Sequence, residues 1–303
     1  MNIQKINVEH KELISRILSD KFEAYTKSFK YIPKGRIDID KFVNNILDKD
    51  GYIINIGHEY GFISMTYAGE LFYGRQGLYH AEWAHYFPSN PVITEALLNL
   101  AYDYMTKNHL RDHTISYLNN RQDLSSLFFE ASYGGRCLDA HTKIDPQMAC
   151  ALENIRQASM KDIDALVPLL DEHHDYMNDV SRLGMNFSDS RTLLSKWLQD
   201  ESSHILVYEE DQILAMMMLV DKSSGGCTIG SDDTTLGIKT TQVMSKHQGK
   251  GIGLSLLKHA HDYGLKNGYK ILAVDFESFN FSAYRFWSKH FDLTIRSVIR
   301  NIG

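Results

Sequence analysis

The stretch His247-Gln248-Gly249-Lys250-Gly251-Ile252-Gly253-Leu254 constrains this chain more than any other. Its three glycines stand at alternate positions. The residues before it, 236–244, read as a strand. In the residues after it, Leu254, Leu257 and His261 fall on one helical face, with Leu256 and Ala260 beside them. A strand, a glycine loop and a helix start, in that order, build an anion site. Glycine lets the backbone turn tightly and lets a ligand come close, because no Cβ stands in the way. The first turn of the helix offers unpaired N–H groups and a partial positive charge. A phosphate or pyrophosphate is the expected occupant.

Two common phosphate patterns do not fit. Lys250 is followed by Gly251 rather than by Ser or Thr, so the G-x-x-x-x-G-K-[ST] loop is absent. Gly249-Lys250-Gly251-Ile252-Gly253 has the wrong spacing for G-x-G-x-x-G. The pattern that fits is Q/R-x-x-G-x-G/A, written here as Gln248-Gly249-Lys250-Gly251-Ile252-Gly253. In this the chain resembles the GNAT superfamily of N-acetyltransferases, where the same pattern holds the pyrophosphate of an acyl-coenzyme A. The resemblance continues downstream. Ile271-Leu272-Ala273-Val274-Asp275-Phe276 reads as the strand that follows in that family. Asn280-Phe281-Ser282-Ala283-Tyr284-Arg285-Phe286-Trp287 resembles its N-x-x-A-x-x-F-Y helix, with Trp in place of Tyr. The resemblance covers roughly residues 150–303.

Composition bounds what surrounds the loop. A chain of 303 residues suggests one large or two medium domains, and 43% hydrophobic residues suffice for real cores. The longest apolar run, residues 213–220, is too short to span a membrane. The N-terminus has no signal-peptide core. Cys137, Cys150 and Cys227 lie far apart and no C-x-x-C occurs, so neither a zinc knuckle nor a disulfide framework is expected. A reducing cytoplasm fits such a chain. The net charge of -6 without a basic stripe argues against nucleic acid and for a cationic small substrate.

Read in order, residues 1–47 are mostly helical, with a basic loop at 28–36. Strands follow at 52–56, 60–67 and 78–87, then a helix at 92–107, a strand at 113–118, a helix at 124–129 and a strand at 137–144. The second half repeats this order. It has a strand at 154–158, a helix over 161–170 capped by Ser159, a helix at 186–199 and a hairpin of 205–209 with 213–220. A loop at Ser223-Ser224-Gly225-Gly226 leads to the strand, glycine loop, helix 252–267, strand 271–276, helix 281–289 and strand 293–299. The repeat is also visible in residues. Shifted by 159 positions, Leu97, Leu98, Ala101, Asp103, Tyr104, Lys107 and Asn108 fall on identical residues from Leu256 to Asn267. With a shift of 158, Phe128-Phe129 falls on Phe286-Trp287 and Gln122 on Asn280. Such self-similarity implies two copies of one domain. The expected fold is α/β, two GNAT-like domains each with a mixed, mostly antiparallel sheet flanked by helices. At the glycine-loop position the first copy has Ser89-Asn90-Pro91-Val92-Ile93-Thr94, without glycine and with a proline that removes an N–H. Residues 1–148 therefore read as a degenerate GNAT-like domain lacking the acyl-CoA loop, and residues 149–303 as the working domain.

The resemblance implies roles. Gln248, Gly249, Lys250, Gly251, Ile252 and Gly253 hold the diphosphate. Thr241, Gln242 and Val243 occupy the strand that, in the family, splays from its neighbour and pairs with the pantetheine arm, one N–H pointing at the thioester carbonyl. An oxyanion donor of that kind is worth about 3 kcal/mol. Asn280 has the family's position for a hydrogen bond to pantetheine, though a helix N-cap is an equal reading of the residue. Ala283 leaves room for the arm, and Trp287 closes the motif. The implied activity is transfer of an acetyl group from acetyl-CoA to a primary amine of a small molecule or peptide by a monomer or homodimer. The alternative is a non-catalytic acyl-CoA-binding or regulatory protein. That alternative draws on two departures from the family. The strand ahead of the loop has no carboxylate, and the usual tyrosine acid is Trp287, whose indole is far too weak an acid. Tyr284, one turn earlier, is the candidate catalytic acid, with Asp232, Asp233 and Glu277 as other carboxylates near the expected mouth.

Asp171-Glu172-His173-His174-Asp175-Tyr176 invites a metal site, but adjacent residues project about 100° apart on a helix, so His173 and His174 cannot readily share one ion. No metal is expected. In the resembling fold the helices after the first strand wall the acceptor site, where these acids would attract a cationic amine. A solvated helix face accounts for the same charges.

Overall fold

In a computed structural model of the chain, the residues described are 1–33, 37–71, 74–181, 185–221 and 232–303. The expected loop Ser223-Ser224-Gly225-Gly226 and the end of the basic loop at 34–36 lie outside them. The elements in chain order are β1 (Asn2–Lys5), α1 (Lys11–Ser28), α2 (Ile39–Leu47), β2 (Gly51–Ile56), β3 (Glu59–Ser64), β4 (Tyr67–Glu70), β5 (Gln76–His80), β6 (His85–Tyr86), α3 (Pro91–Lys107), β7 (Asp112–Leu118), α4 (Gln122–Glu130) and β8 (Gly134–Lys143). They continue as β9 (Ile155–Gln157), α5 (Ile163–Ser181), α6 (Ser190–Gln199), β10 (Ser203–Glu209), β11 (Ile213–Asp221), β12 (Thr235–Val243), α7 (Ile252–Lys266), β13 (Ile271–Glu277), α8 (Phe281–Trp287) and β14 (Asp292–Asn301).

The chain divides into two compact units. One comprises Met1–Lys30, Ile37–Leu138 and Leu293–Gly303, the other Tyr31–Arg36 and Asp139–Asp292. The last strand therefore returns to the first unit. There β14 pairs antiparallel with β7, with Val298 opposite Ile115 and Asn301 opposite Asp112, and Asn301 Nδ2 donates to Asp112 Oδ1 at 2.7 Å. In the first unit β1-β2-β3-β6 form an antiparallel sheet, and β4-β5-β7-β14 form a second run in which only β5 and β7 are parallel. The core joins Ile54 and Ile63 with Leu97, Leu98 and Ala101 of α3, and Phe128 of α4. In the second unit β9-β10-β11-β12 run antiparallel and β13 joins β12 in parallel. Leu166, Leu169 and Leu170 of α5 pack with Ile205, Val207 and Met216.

One strand expected at 78–87 is in fact two. The Ala84 N–H donates to Ala81 O at 2.9 Å, a tight turn that buries Trp83. It sends β5 to β7 and β6 to β3, each in its own sheet. Residues 78–87 contain no glycine or proline to signal that turn. β1 also has no sequence signal, because all four of its residues are exposed.

The repeat has a structural counterpart. Leu97, Leu98 and Ala101 are buried in one unit and Leu256, Leu257 and Ala260 in the other. The two helices end alike. Asn108 Nδ2 donates to Tyr104 O, and Asn267 Nδ2 to Tyr263 O, each at 2.8 Å.

Two consequences for stability follow. A Cβ built on Gly77 lies 2.4 Å from the Asp112 carbonyl oxygen of the paired strand, a contact no side-chain rotation relieves. Gly77→Ala is expected to destabilise the first unit by about 2 kcal/mol, seen as a lower urea midpoint. His80, His85 and His113 are buried in that unit. Burial pushes His80 down to about 4, against the hydrogen bond from its Nδ1 to Ser64 O. The unfolded chain gains this proton near pH 6.5, and the folded chain only near 4. Stability is thus lost as pH falls through that window, on the order of 3 kcal/mol for His80. Thermal melts from pH 7 to 4.5 should show a falling midpoint, and His80→Gln should flatten the slope.

Candidate active site

The glycine loop is arranged by the elements on either side of it. β12 pairs with β13 only from Thr235 opposite Ile271 to Ile238 opposite Val274. Both strands continue, to Val243 and Glu277, but they separate. On its other edge β12 stays bonded to β11 through Thr241, Gln242 and Val243, after a bulge opposite Met218. The parting of two parallel strands leaves main-chain groups of residues 239–243 facing a cleft instead of a neighbour. This is the splay that the family resemblance implied.

Beyond Val243 the chain makes a short turn, with the His247 N–H donating to Met244 O at 2.8 Å. Glu172 of α5 anchors the turn. Its Oε1 accepts from Ser245 N at 2.7 Å, from the Ser245 hydroxyl, and from Gln242 Nε2 at 3.2 Å. Gln248 folds back to donate to Val243 O at 3.2 Å. Gly249 and Gly251 then take φ of 76° and 86°, the left-handed region that favours glycine. Neither has a heavy atom within 4 Å of where its Cβ would be. Open space therefore stands in front of both. Gly251 is the N-cap of α7, and no side chain caps that terminus. The first-turn N–H groups and the helix dipole are thus free to meet an anion.

A cleft of about 290 Å³ collects these parts. Thr241, Gln242, Val243, Gln248, Gly249, Gly251, Ile252, Gly253, Asn280, Ala283 and Trp287 all line it. Of the residues expected from sequence, Lys250 and Tyr284 are not in its lining, nor are Asp232, Asp233 and Glu277. Tyr284 is 38% exposed, on the exposed side of α8. Asn280 caps α8, its Oδ1 accepting from Ala283 N at 3.0 Å, and the same oxygen accepts from the Tyr176 hydroxyl at 3.0 Å. Thr241 Oγ1 is buried with no hydrogen-bond partner.

The α5 cluster at 171–176, expected from sequence only as an acceptor-site wall or a solvated face, puts two side chains into the cleft. His173 and Tyr176 both reach the cleft from α5. Burial, with His174 close by, pushes His173 down to about 4 in spite of its hydrogen bond with Gln242. Both Gln242 Nε2 protons are spent on Glu172 and Val243 O, so its Oε1 is what the imidazole N–H meets. His173 is therefore a neutral imidazole with one acceptor nitrogen. The spacing of His173 and Tyr176, one turn apart, was the only available signal, and the neighbouring charges masked it. His174 points elsewhere, stacked on Phe187 at 4.1 Å between ring centroids.

Residues 168–292 match the model of the acetyltransferase (GNAT) family. The solved GCN5-related N-acetyltransferase from Sphaerobacter thermophilus aligns over 99% of this chain and 95% of its own, at 12% identity with a TM-score of 0.61, which shows a shared fold. A GNAT-family acetyltransferase from Colwellia psychrerythraea aligns over 100% of both chains, at 13% identity and a TM-score of 0.49. A tandem GNAT protein from the clavulanic acid biosynthesis pathway covers 100% of this chain and 99% of its own, at 12% identity and a TM-score of 0.48. No curated protein matches the chain.

Proposed function

We propose, from the premise that residues 168–292 form a domain of the GNAT acetyltransferase family, that this protein moves an acetyl group from acetyl-CoA to a primary amine of a small molecule or peptide. The observation that carries this reading is the pair of positive-φ glycines with open space before them, at the uncapped start of a 15-residue helix, beside two parting strands. The diphosphate lies on the amides of residues 249–253. The pantetheine arm follows residues 241–243, as a strand would, with Asn280 and Ala283 on its far side and Trp287 closing the cleft.

The chemistry then runs as follows. The amine nitrogen attacks the thioester carbonyl, whose oxygen gathers negative charge and is met by a β12 N–H. His173 accepts the proton that the nitrogen sheds as the amide forms. The C–S bond breaks and the CoA thiolate takes a proton. Tyr176, in the cleft and hydrogen-bonded to Asn280, is the nearer donor, and Tyr284 the second candidate. Tyr176→Phe separates them. The acids Asp171 and Asp175 on α5 favour a cationic acceptor over an anionic one.

We read residues 1–148 as a degenerate GNAT-like copy, supported by the matching helices and caps, and residues 149–303 as the acyl-CoA domain. Among the described residues no helix is long and apolar enough to cross a membrane, and we assign the protein to the cytoplasm. Titration calorimetry with acetyl-CoA, followed by thiol release across an amine panel, tests the function. Absence of heat at millimolar acetyl-CoA would overturn it. Heat without thiol release for any amine would instead make this a binding module, the reading that the missing strand carboxylate favours.

A further inference from the structure

The first unit has a cavity of its own, of about 550 Å³. It lies at the place in the repeat that the acyl-CoA cleft holds in the second unit. Its walls are the end of β6 with the loop before α3, the end of β7 with the loop before α4, and α1. Its chemistry is different. The helix end that would receive a diphosphate is closed. Asn90 caps α3, its Oδ1 accepting from Val92 N at 3.1 Å, and Pro91 supplies no N–H. Asn90 also donates to Glu59 Oε2 at 2.7 Å. Nor are the strands bare, since His85 Nε2 crosses from β6 to donate to Ser116 O of β7 at 2.8 Å. A coenzyme A diphosphate has no amide cradle here.

What lines the cavity instead is charge of both signs beside aromatic surface. Arg16 and Asp20 stand one turn apart on α1 and join no ion pair among the described residues. Lys21 Nζ donates to the carbonyls of Glu82 and His85, the latter at 2.8 Å, and in its protonated form keeps a third N–H for a ligand. Arg121 pairs with Asp123 through Nε and one terminal nitrogen, and Nη1 takes no part in those bonds. Tyr60, Tyr86 and Leu124 complete the wall.

We propose that this cavity binds a small zwitterion, a free α-amino acid with an apolar or aromatic side chain. Its carboxylate meets the Lys21 ammonium and the guanidinium groups of Arg16 and Arg121. Its ammonium meets the Asp20 carboxylate, and its side chain lies on the tyrosines. An anion alone leaves the Asp20 carboxylate unanswered, and a cation alone is repelled by the Arg16 and Arg121 guanidinium groups and by Lys21 when it is protonated. Burial holds the Lys21 amine down at about 7, and a bound carboxylate would raise it.

The test is calorimetry on the full chain with L-phenylalanine and L-leucine. Phenethylamine and 3-phenylpropionate serve as probes carrying one charge each. The expected dissociation constant is about 1 mM or lower for at least one amino acid, with each single-charge probe at least about tenfold weaker. Arg16→Gln and Asp20→Asn, both at exposed positions, should each weaken the amino acid about tenfold without moving the melting temperature of the unliganded protein. Saturating CoA should not displace it. Four results would each overturn the proposal: no heat with either amino acid at about 10 mM, equal binding of either single-charge probe, displacement by CoA, or affinity unmoved by both substitutions.

Discussion

Gly251→Val is expected to raise the dissociation constant for CoA by about 100-fold or more, equivalent to roughly 3 kcal/mol, while the protein stays folded. Gly251 has φ of 86°, where an L-residue is strained and a β-branched one most of all. Its Cβ would touch nothing in the folded protein. The substitution therefore brings no clash with the core. It costs local strain of about 1–3 kcal/mol and puts a branched side chain into the space where the diphosphate would lie. Gly268 supplies the control. It too has positive φ, 78°, and open space around its Cβ, but it follows the far end of α7. Gly268→Val should lower the melting temperature by a similar amount and leave CoA affinity as it was. Equal loss of affinity in both variants would mean that strain alone was being measured, and the diphosphate assignment would fall.

His173→Ala is expected to lower kcat by about 100-fold, the lower end of what a positioned proton acceptor contributes, with little change in KM for acetyl-CoA. The pH dependence is the sharper observable. The role requires the neutral imidazole. His173 becomes cationic only as pH falls through about 4, so kcat should show no histidine limb between pH 5 and 8. An unburied histidine would give one near 6.5. A limb near 6.5 that His173→Ala removes would show an imidazole in contact with water and would contradict the buried position. A variant with wild-type kcat would remove His173 from the mechanism and leave proton transfer to solvent.

The parts of this site differ in how far they could be read beforehand. The glycine loop and the Asn280–Trp287 helix are local patterns. Glycines at positive φ and a helix start are decided within eight or so residues, so spacing alone exposes them. His173 shows the opposite. On its helix it sits between Glu172 and His174 in a run of polar residues, which suggests solvent or a metal. Its value lies in what packs against it from β12, and Gln242 is 69 positions away in the chain. Tyr284 shows how a spacing argument can mislead. One turn before Trp287 is a similar direction on an ideal helix, yet in α8, which spans seven residues, Tyr284 is 38% exposed while Trp287 is buried.

The amino-acid sequence by itself determined that the chain repeats a helix, a strand and a helix, and that only the second copy carries a glycine loop fit for a phosphate. These depend on periodicity and on the backbone freedom of single residues, both local. Only the tertiary structure decided that residues 78–87 split between two sheets and that the final strand lies against β7 of the first unit. It also decided that β12 and β13 part after four paired positions. Strand pairing is a contest between distant edges for the same hydrogen bonds. Its outcome depends on which partner covers more apolar surface, and the pattern along any single strand does not carry that information.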